Sequence, residues 1–426
     1  MDENLKYQNS TKLKIAHLSW EYPPAIWGGL GTFATEITKK QVKLGNEVTV
    51  FAVNNENKLK ISDELNGVTI YRPKIPDTSS SFILFSNNDL KSWGSNYSLF
   101  SDVIGYNFLS ASKLTGSFNN DNGKKYDIID CHDWLGIFGG MIVKKNLDIP
   151  VVFHVHSTEG GRSCGGGSST IKNIEYEGSK VADCIITVSH AMKEELIKFG
   201  FPESKLRVCW NGIDPDKYDP NKISDSEIMG LRKKYKINED DHLLFFIGRL
   251  VTVKGVINLI KSMPSVIKEF PKTKLLILGI GDLEKEIIDL IKSLNLDEKV
   301  ILRHEFVSEK ERIIHYAAAD TVVLPSLYEP FGIVCTEAMS MQKPVVVGAR
   351  GTNGMREQII INGKNKCGVH VNPYNPDDIS WGIKQILKSE DQGLKMGINA
   401  RKRAIKEFNW DIVNKKTLDI YNEFIN

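Results

Sequence analysis

The sequence predicts an α/β protein built from two doubly wound parallel sheets, one in each half of the chain. The chain has 426 residues, more than the roughly 250–300 residues that one hydrophobic core normally serves. Short apolar runs alternate with longer helical patterns almost throughout, as in parallel sheets covered by helices. The alternation restarts after the turn-rich stretch Asn211–Pro220, which we interpret as a linker.

Apolar runs in each half of the chain are the strand candidates. In the first half they are Leu13–Ser19, Glu47–Val53, Tyr126–Asp130, Pro150–His156 and Cys184–Ser189. The second half repeats the pattern with His242–Ile247, Lys274–Leu278, Val300–Leu302, Thr321–Pro325 and Pro344–Val347. Because ligands of such sheets bind beyond the carboxyl ends of the strands, we expect the site among the polar and glycine-rich strand ends.

The domain boundaries follow from this repeat. We expect a first domain over residues 1–215, a second over residues 216–408 and a final helix over residues 409–426. The last helical pattern begins after the second unit is complete, so it can pack elsewhere. Residues near 75–110 are rich in Phe, Ser and Asn and break the alternation. We interpret them as an insertion in the first domain, either beside the site or as a locally packed loop.

The bulk composition argues against a nucleic-acid partner. Apolar residues make up 41% and charged residues 25%, the formal net charge is +2, and the sequence contains no long basic block. The six cysteines form no CxxC pair, which is typical of reduced thiols. Met1 to Lys14 are polar, unlike a signal peptide, and no apolar run approaches the ~20 residues of a membrane span. We expect a cytoplasmic protein without a transmembrane segment, and docking on a membrane surface stays open.

A first glycine-rich turn, Trp27-Gly28-Gly29-Leu30-Gly31, follows the first strand and opens a helix. Glycines let a backbone approach a ligand closely, and a helix N-terminus favours a phosphate. The spacing departs from the GxGxxG dinucleotide pattern. A phosphate contact and a purely structural tight turn are therefore equal alternatives.

Two cations mark the start of the second half. Arg249 follows the strand candidate His242–Ile247, and Lys254 begins the next helix. At the ligand edge of a sheet they can clamp a diphosphate, the arginine through paired hydrogen bonds and the lysine as a point charge. The alternative is two solvated basic residues on a loop.

The most informative stretch runs from Glu329 to Met339. Glu329 follows the strand candidate Thr321–Pro325, and the proline and glycine after it indicate a helix start. The first N–H groups of that helix can face a phosphate or a sugar. Glu337 lies more than one turn into the helix, where a carboxylate can hold a ribose diol. Isolated carboxylates are more often surface charges.

These segments together resemble the retaining glycosyltransferases of the GT-B fold. Glu329 and Glu337 match the E-x7-E motif of that group, and Arg249 and Lys254 match its G-R-x4-K-G phosphate motif. Within the group the chain looks like glycosyltransferase family 4 and the related glycogen and starch synthases. The resemblance implies a GT-B fold, in which two Rossmann-like doubly wound domains face one another across a cleft and a C-terminal helix crosses back to the first domain.

Further segments extend the resemblance over nearly the whole chain. Cys131–Trp134 resembles the HDW segment of the family, and Val152–Ser157 resembles the strand that ends in its active-site histidine, which corresponds to His156. Trp410 resembles the start of the closing helix. Bacterial glycogen synthases carry a lysine two residues before the GGL turn, where this chain has Ile26. That departure weakens the likeness to glycogen synthase proper, though not to the wider family.

The resemblance implies a role for each matched residue. It implies that a positive pair holds the diphosphate, that one glutamate binds the ribose and the other the donor sugar, and that a histidine approaches the transferred sugar. The implied catalytic residues are His156, Glu329, Arg249 and Lys254. The implied substrate-binding residues are Gly29 and Leu30 against the phosphates, Asp133 on the acceptor side, Phe331, Gly332, Ile333 and Val334 at the donor sugar, and Glu337 at the ribose.

We expect neither a metal nor a cofactor, because the nucleotide sugar is a substrate and two protein cations neutralise its diphosphate. Asp214-Pro215-Asp216 spells the DxD of metal-dependent glycosyltransferases, but it lies in the linker and is interpreted as a turn. A zinc site drawn from nearby cysteines and histidines lacks a metal-ligand spacing. Its members would be Cys131, His132, His154, His156 and Cys164, of which His154 is interpreted as a core residue.

The predicted activity is transfer of a hexose, with glucose as the leading donor sugar and a growing α-glucan as the leading acceptor. The resemblance implies retention by front-face displacement. A sugar phosphate, a lipid or a small metabolite stays open as acceptor, and so does a GT-B sugar-nucleotide epimerase. A glycoside hydrolase fits poorly, because Glu329 and Glu337 are roughly 12 Å apart if all helical, farther than hydrolase carboxylates. A non-catalytic relative would have lost the charges. The base of the nucleotide and the oligomeric state are not predicted.

Overall fold

The computed structural model describes residues 12–120 and 126–425. These residues divide into two compact units, of which the second consists of Ser189–Met192 and Asn211–Asn409. The first unit comprises the remaining described residues. Each unit is built on one sheet of mostly parallel strands, so the predicted α/β class is confirmed. Residues 1–11, most of the polar N-terminal stretch, lie outside the described residues.

The first unit contains an eight-stranded sheet. Its strands are β1 (Lys14–Leu18), β2 (Glu47–Phe51), β3 (Ser62–Leu65), β4 (Val68–Tyr71), β5 (Ile128–His132), β6 (Val151–Val155), β7 (Cys184–Thr187) and β8 (Leu206–Val208). The spatial order is β3-β4-β2-β1-β5-β6-β7-β8, and all neighbours are parallel except β3 and β4. The central strands β5, β6 and β7 are buried at every position, as expected for a sheet covered on both faces.

Helices follow most of these strands. Those of the first half are α1 (Gly29–Lys43), α2 (Ser79–Phe82), α3 (Asn88–Lys91), α4 (Tyr97–Asn120), α5 (Asp133–Asn146), α6 (Glu159–Arg162), α7 (Ser169–Val181) and α8 (His190–Lys198). The expected insertion near residues 75–110 contains α2, α3 and the first half of α4. Across the described residues, none of the helices has the length and apolar character needed to cross a membrane.

The second unit contains a six-stranded sheet whose neighbours are all parallel. Its strands are β9 (His242–Ile247), β10 (Thr273–Leu278), β11 (Val300–Arg303), β12 (Thr321–Leu324), β13 (Val345–Gly348) and β14 (Gly368–Val371), in the order β11-β10-β9-β12-β13-β14. Its helices are α9 (Asp225–Lys234), α10 (Val256–Glu269), α11 (Glu284–Ser293), α12 (Glu309–Ala318), α13 (Ile333–Ser340), α14 (Met355–Gln358), α15 (Pro376–Leu387) and α16 (Glu390–Glu407).

The last helix, α17 (Trp410–Asn422), belongs to the first unit although it follows the second along the chain. Trp410 and Tyr421 are buried in a hydrophobic cluster that also contains Phe33 of α1. An ion pair between Lys40 and Asp411 joins the two helices at 2.6 Å. The first unit is therefore closed by the chain's final segment.

The turn-rich stretch between the units is more ordered than a simple linker. Tyr218 within it is only 3% exposed, and Ile213 pairs with Asn409 in an isolated bridge. Both contacts lie inside the second unit. The stretch interpreted as a linker thus forms part of that unit's packing.

Candidate active site

Arg249 and Lys254 lie at the carboxyl edge of the second sheet, in the loop between β9 and α10. The Arg249 side chain is exposed. Lys254 is held in place by Gly255, which has a left-handed φ of +70° and whose hypothetical Cβ would lie 2.0 Å from the Pro325 carbonyl oxygen. Only glycine permits so close an approach to the end of β12.

The same approach brings Lys254 to Glu329. The N–H of Leu327 donates to the carbonyl of Val253 at 2.8 Å, and the Lys254 ammonium forms an ion pair with the Glu329 carboxylate. Glu329 is 8% exposed. Two of the predicted site residues, which are 75 positions apart in the sequence, are therefore in direct contact.

Gly332 sets the start of α13. It adopts a left-handed φ of +91° as the residue before the helix, and a Cβ there would come within 2.7 Å of Met355. Ile333 and Val334 form the first turn, where N–H groups have no partner further up the helix. The side chain of Phe331 is buried. This helix end and its dipole lie directly after the Lys254–Glu329 pair, which is an arrangement suited to an anion.

Glu337 is buried within α13, and its carboxylate is already surrounded by donors. The Tyr218 hydroxyl donates to it at 2.8 Å and the Tyr316 hydroxyl at 2.7 Å, while the Arg312 guanidinium lies 3.3 Å away. Burial raises the pKa of both phenols, and Glu337 raises them further. Sequence reasoning missed these three partners. The i, i+4 spacing of Arg312 and Tyr316 on α12 was the available signal, since it places both on one helix face.

In the first unit, the glycine-rich turn holds a carboxylate of the chain itself. Glu21 accepts hydrogen bonds from the N–H groups of Trp27 and Gly28 at 2.9 Å and of Gly31 at 3.3 Å. Gly29 and Leu30 form the start of α1 between these donors. Glu21 was not among the predicted residues, although an acid just before a glycine turn is a readable signal.

Asp133 is placed by the end of β5 and anchors the end of β6. It has a left-handed φ of +53°, and its carboxylate accepts hydrogen bonds from the N–H groups of His156 at 2.7 Å and Ser157 at 3.3 Å. Burial raises the pKa of Asp133, and Arg162 partly opposes that effect. The structure thus brings the predicted Asp133 and His156 together through the backbone.

His156 also belongs to a buried cluster of imidazoles. Its Nε2 lies 3.0 Å from Nδ1 of His132. The ring of His154 packs parallel to it, with centroids 4.6 Å apart and an interplanar angle of 3°. His154 is fully buried and contacts Asp130 at 3.2 Å. Burial lowers the pKa of His156 well below its ordinary value.

The other motifs considered from the sequence behave as local structure. Asp214 accepts hydrogen bonds from the N–H groups of Asp216 and Lys217 at 3.0 and 3.1 Å, which is turn geometry. Among the described residues, the groups whose donor atoms converge as a metal site requires are His132, His154 and His156, and His17, Asp130 and His132. Cys131 and Cys164, part of the conceivable zinc set, belong to neither.

The comparisons with known proteins agree with this architecture. The family model described as Glycosyltransferase Family 4 matches residues 27–217, and the one described as Glycosyl transferases group 1 matches residues 229–403. An uncharacterised glycosyltransferase of Methanocaldococcus jannaschii is 36% identical over 96% of this chain and 98% of its own length. Glycogen synthase of Mycobacterium tuberculosis is 26% identical over 96% of this chain and 94% of its own length.

A solved structure extends the likeness to the fold. The catalytic domain of starch synthase IV from Arabidopsis thaliana, bound to ADP and acarbose, has a TM-score of 0.75 at 17% identity and covers 97% of this chain and 100% of its own. Two Rossmann-like units of this kind define a glycosyltransferase of the GT-B fold. The chain belongs to glycosyltransferase family 4.

Proposed function

We propose that this glycosyltransferase moves a hexose, glucose first among the candidates, from a nucleoside diphosphate sugar to an acceptor hydroxyl with retention of configuration. The observation that carries the proposal is the contact between Lys254 and Glu329 at the carboxyl edge of the second sheet. It places a cation, a carboxylate and the start of α13 together. The cation suits the diphosphate of the donor, and the carboxylate and the N–H groups of the helix start suit the sugar hydroxyls.

Each group has a chemical task in this proposal. Arg249 and Lys254 neutralise the charge that develops on the leaving diphosphate, and preorganised cations stabilise such charge without reorganisation during the reaction. Glu329 and the N–H groups of residues 331–334 hold the hydroxyls of the donor sugar. Lys254 and Glu329 neutralise one another in the structure, so a bound diphosphate must compete with Glu329 for the ammonium group.

Glu337 is proposed to bind the ribose. Three donors hold its carboxylate in one orientation, so a ribose hydroxyl would meet a rigid acceptor with lone pairs to spare. His156 is proposed to contact the transferred sugar, Asp133 the acceptor side, and Gly29 and Leu30 the phosphates. The leaving phosphate oxygen takes the acceptor proton in this scheme, with no metal, no cofactor and a cytoplasmic setting.

The proposed acceptor is a growing α-glucan. It rests on the likeness of the GGLG, HDW and EPFGIV segments to those of glycogen synthases. The glycogen synthase relative is 26% identical, so its acceptor applies to this chain less directly than the transfer reaction does. Sugar phosphates, lipids and small metabolites are the competing acceptors, and a sugar-nucleotide epimerase is the competing activity.

A donor screen tests the proposal. Purified protein is incubated with a panel of nucleotide sugars, with and without glucan, and released nucleoside diphosphate is measured. We expect release from at least one donor that increases when an acceptor is present. Conversion of a donor to its epimer without an acceptor, or release of free sugar without nucleotide, would overturn the assignment.

A further inference from the structure

Alternate residues of three neighbouring strands form a buried polar cluster in the first unit. The register pairs His17 of β1 with Asp130 of β5, and His132 of β5 with His154 of β6. His156 follows two residues after His154 and therefore faces the same side. The exposed fraction of His17, Asp130, His132 and His154 is zero. So many titratable groups buried together require a defined arrangement of protons.

Three of the imidazoles form a head-to-tail chain that starts at Gln41 of α1. Gln41 Oε1 lies 2.9 Å from His17 Nε2, His17 Nδ1 lies 3.0 Å from His132 Nε2, and His132 Nδ1 lies 3.0 Å from His156 Nε2. The ring centroids are 5.3 Å apart in both histidine pairs, with interplanar angles of 15° and 24°. Each contact therefore runs nitrogen to nitrogen and close to the plane of both rings.

A bridging proton fits these contacts better than a metal ion does. The two nitrogens 3.0 Å apart point at one another nearly in the plane of both rings, so an ion at the ~2.0 Å of a zinc–imidazole bond would have to lie off the lone-pair axes of both rings. The third candidate ligand, His154, has its ring parallel to that of His156 at 4.6 Å. In-plane lone pairs of stacked rings do not converge on one ion. The chain Gln41–His17–His132–His156 is therefore a hydrogen-bonded relay.

Burial lowers the pKa of His17 and His156 and lowers that of His132 to about 3, which favours the neutral form of each ring. A neutral imidazole has one N–H donor and one acceptor nitrogen. The tautomer of the first ring therefore determines the tautomer of the second, and the second determines that of the third. With Gln41 Oε1 as the acceptor at the start, every Nε2 in the relay carries the proton.

Tyr421 of α17 is the other neighbour of the Gln41 amide, and its hydroxyl donates to the Asp130 carboxylate. The Gln41 amide oxygen faces His17 Nε2 at 2.9 Å. The amide nitrogen is buried and has no hydrogen-bond partner among the described residues, so the contact with His17 sets the start of the relay.

We propose that Gln41, His17 and His132 are positioning residues that fix the tautomer of His156, leaving its Nδ1 as a bare hydrogen-bond acceptor. Nδ1 of His156 is buried and has no hydrogen-bond partner among the described residues. The role of this acceptor rests on the proposed function, in which His156 contacts the transferred sugar. There it accepts a hydrogen bond from a sugar hydroxyl and donates none.

Nitrogen NMR of protein labelled with [15N]histidine tests the relay without any substrate. The His156 signals are assigned by comparison with His156→Gln. We expect an imine-type Nδ1 and a protonated Nε2 in the wild-type protein at neutral pH. A protonated Nδ1 would overturn the relay order. The tautomer itself is measured in the wild-type protein, and His156→Gln serves only to assign the signals.

Two variants test how the order is set. Tyr421→Phe frees the Gln41 amide to rotate, and we expect the bare fraction of Nδ1 to fall to about half, since two proton orders then compete. Tyr106→Phe is the matched control, because Tyr106 is also fully buried in the first unit and its hydroxyl donates to the Phe51 carbonyl outside the relay. Equal tautomer populations in Tyr421→Phe and the control would overturn the role of Tyr421 in holding the Gln41 amide. If the wild-type protein shows the expected tautomer of His156 but lacks the proposed activity, that result counts against the proposed function alone.

Discussion

Single charged residues of the second unit fall into two kinds that respond differently to mutation. The ion pair of Lys254 and Glu329 is partly solvated, with 20% and 11% of the side chains exposed. Glu337 is 5% exposed, and its carboxylate is held by two phenols as well as by Arg312, which is itself 29% exposed. A partly exposed pair contributes up to ~1 kcal/mol to stability, whereas removing the acceptor of buried donors costs about 1–3 kcal/mol. The first kind is therefore available for function and the second also stabilises the fold.

The proposed phosphate clamp predicts a loss of turnover with an intact fold. We expect Arg249→Ala and Lys254→Ala each to lower kcat at least tenfold, about 1.4 kcal/mol of transition-state stabilisation. Lys272→Ala is the control, because this lysine is 64% exposed and forms its ion pair with Asp240, outside the proposed clamp. Steady-state kinetics and circular dichroism measure the two effects. Wild-type turnover in either clamp variant would remove the assignment.

The enclosed Glu337 carboxylate predicts that Glu337→Gln affects both stability and donor binding. Removing the charge weakens the hydrogen bonds from Tyr218 and Tyr316 and the ion pair with Arg312, and we expect a loss of about 1–3 kcal/mol in the free energy of unfolding. If Glu337 holds the ribose equally in the ground and transition states, the donor KM rises with little change in kcat. Glu309→Gln is the control, because Glu309 also contacts Arg312 but is 46% exposed.

The two glutamates are distinguished by kinetics with varied donor. Glu329 is proposed to touch the sugar as positive charge develops on it, so Glu329→Gln should mainly lower kcat. The opposite pattern, with kcat lowered by Glu337→Gln and KM raised by Glu329→Gln, would mean that the roles are exchanged. Two variants with normal kinetics would mean that the motif match is coincidental.

Among the secondary-structure elements, α17 belongs to the first unit although it follows the second along the chain. Its residues complete the core of the first unit, where Trp410 packs edge-on against Phe33 with ring centroids 5.8 Å apart. A sequence pattern shows that such a helix is amphipathic but not which surface it covers. The return of this helix to the first domain was implied by the resemblance to known glycosyltransferases.

Loss of the α17 anchor should therefore destabilise the first unit. We expect Trp410→Ala to lower the free energy of unfolding by about 3–5 kcal/mol, because Trp410 is 3% exposed and its removal leaves a cavity. Trp381→Ala, at a tryptophan that is 50% exposed, should cost less than ~0.5 kcal/mol. Chemical denaturation followed by circular dichroism compares them. Equal losses would contradict the packing described for α17.

Elements with strong local patterns were predictable from the sequence and others were not. The buried strands β9 and β12 are continuous apolar runs, so their positions and the charged residues at their ends could be read directly. The short exposed strand β3 has the polar sequence SDEL and no readable pattern. The contacts of Glu337 depend on Tyr218, which is 119 residues away in a turn-rich stretch. Pairing over such distances is decided by tertiary packing, which periodicity does not encode.

At the scale of the whole molecule, buried titratable groups couple folding to pH. Burial lowers the pKa of His17, His132 and His156 in the folded first unit and so favours their neutral forms, while the unfolded chain binds a proton at each below a pKa of about 6.5. The unfolded state then holds more protons, so stability falls as the pH falls below 6.5. Burial raises the pKa of Glu175 to about 8 and that of Asp133 above its usual range, which acts in the opposite direction.

Three histidines against two carboxyls predict a net acid destabilisation. Between pH 6 and 4.5 we expect the free energy of unfolding of the first unit to drop as the pH falls, by about 1.4 kcal/mol per pH unit for each proton that the unfolded state holds in net excess. Glu175→Gln removes one opposing group and should steepen the drop. Urea midpoints across this pH range measure both slopes. A flat profile would mean that these histidines are not held neutral in the folded state.

The proposed function requires that the chain couples cleavage of a nucleoside diphosphate sugar to formation of a glycosidic bond, using protein cations in place of a metal. The most direct measurement counts nucleoside diphosphate released against glycosidic bonds formed, in excess EDTA, for the wild-type enzyme and Arg249→Ala. We predict a one-to-one ratio for the wild type, a product with the anomeric configuration of the donor, and at least tenfold slower turnover in the variant. Activity that EDTA abolishes and Mg²⁺ or Mn²⁺ restores, or donor consumption without a glycosidic product, would contradict the claim.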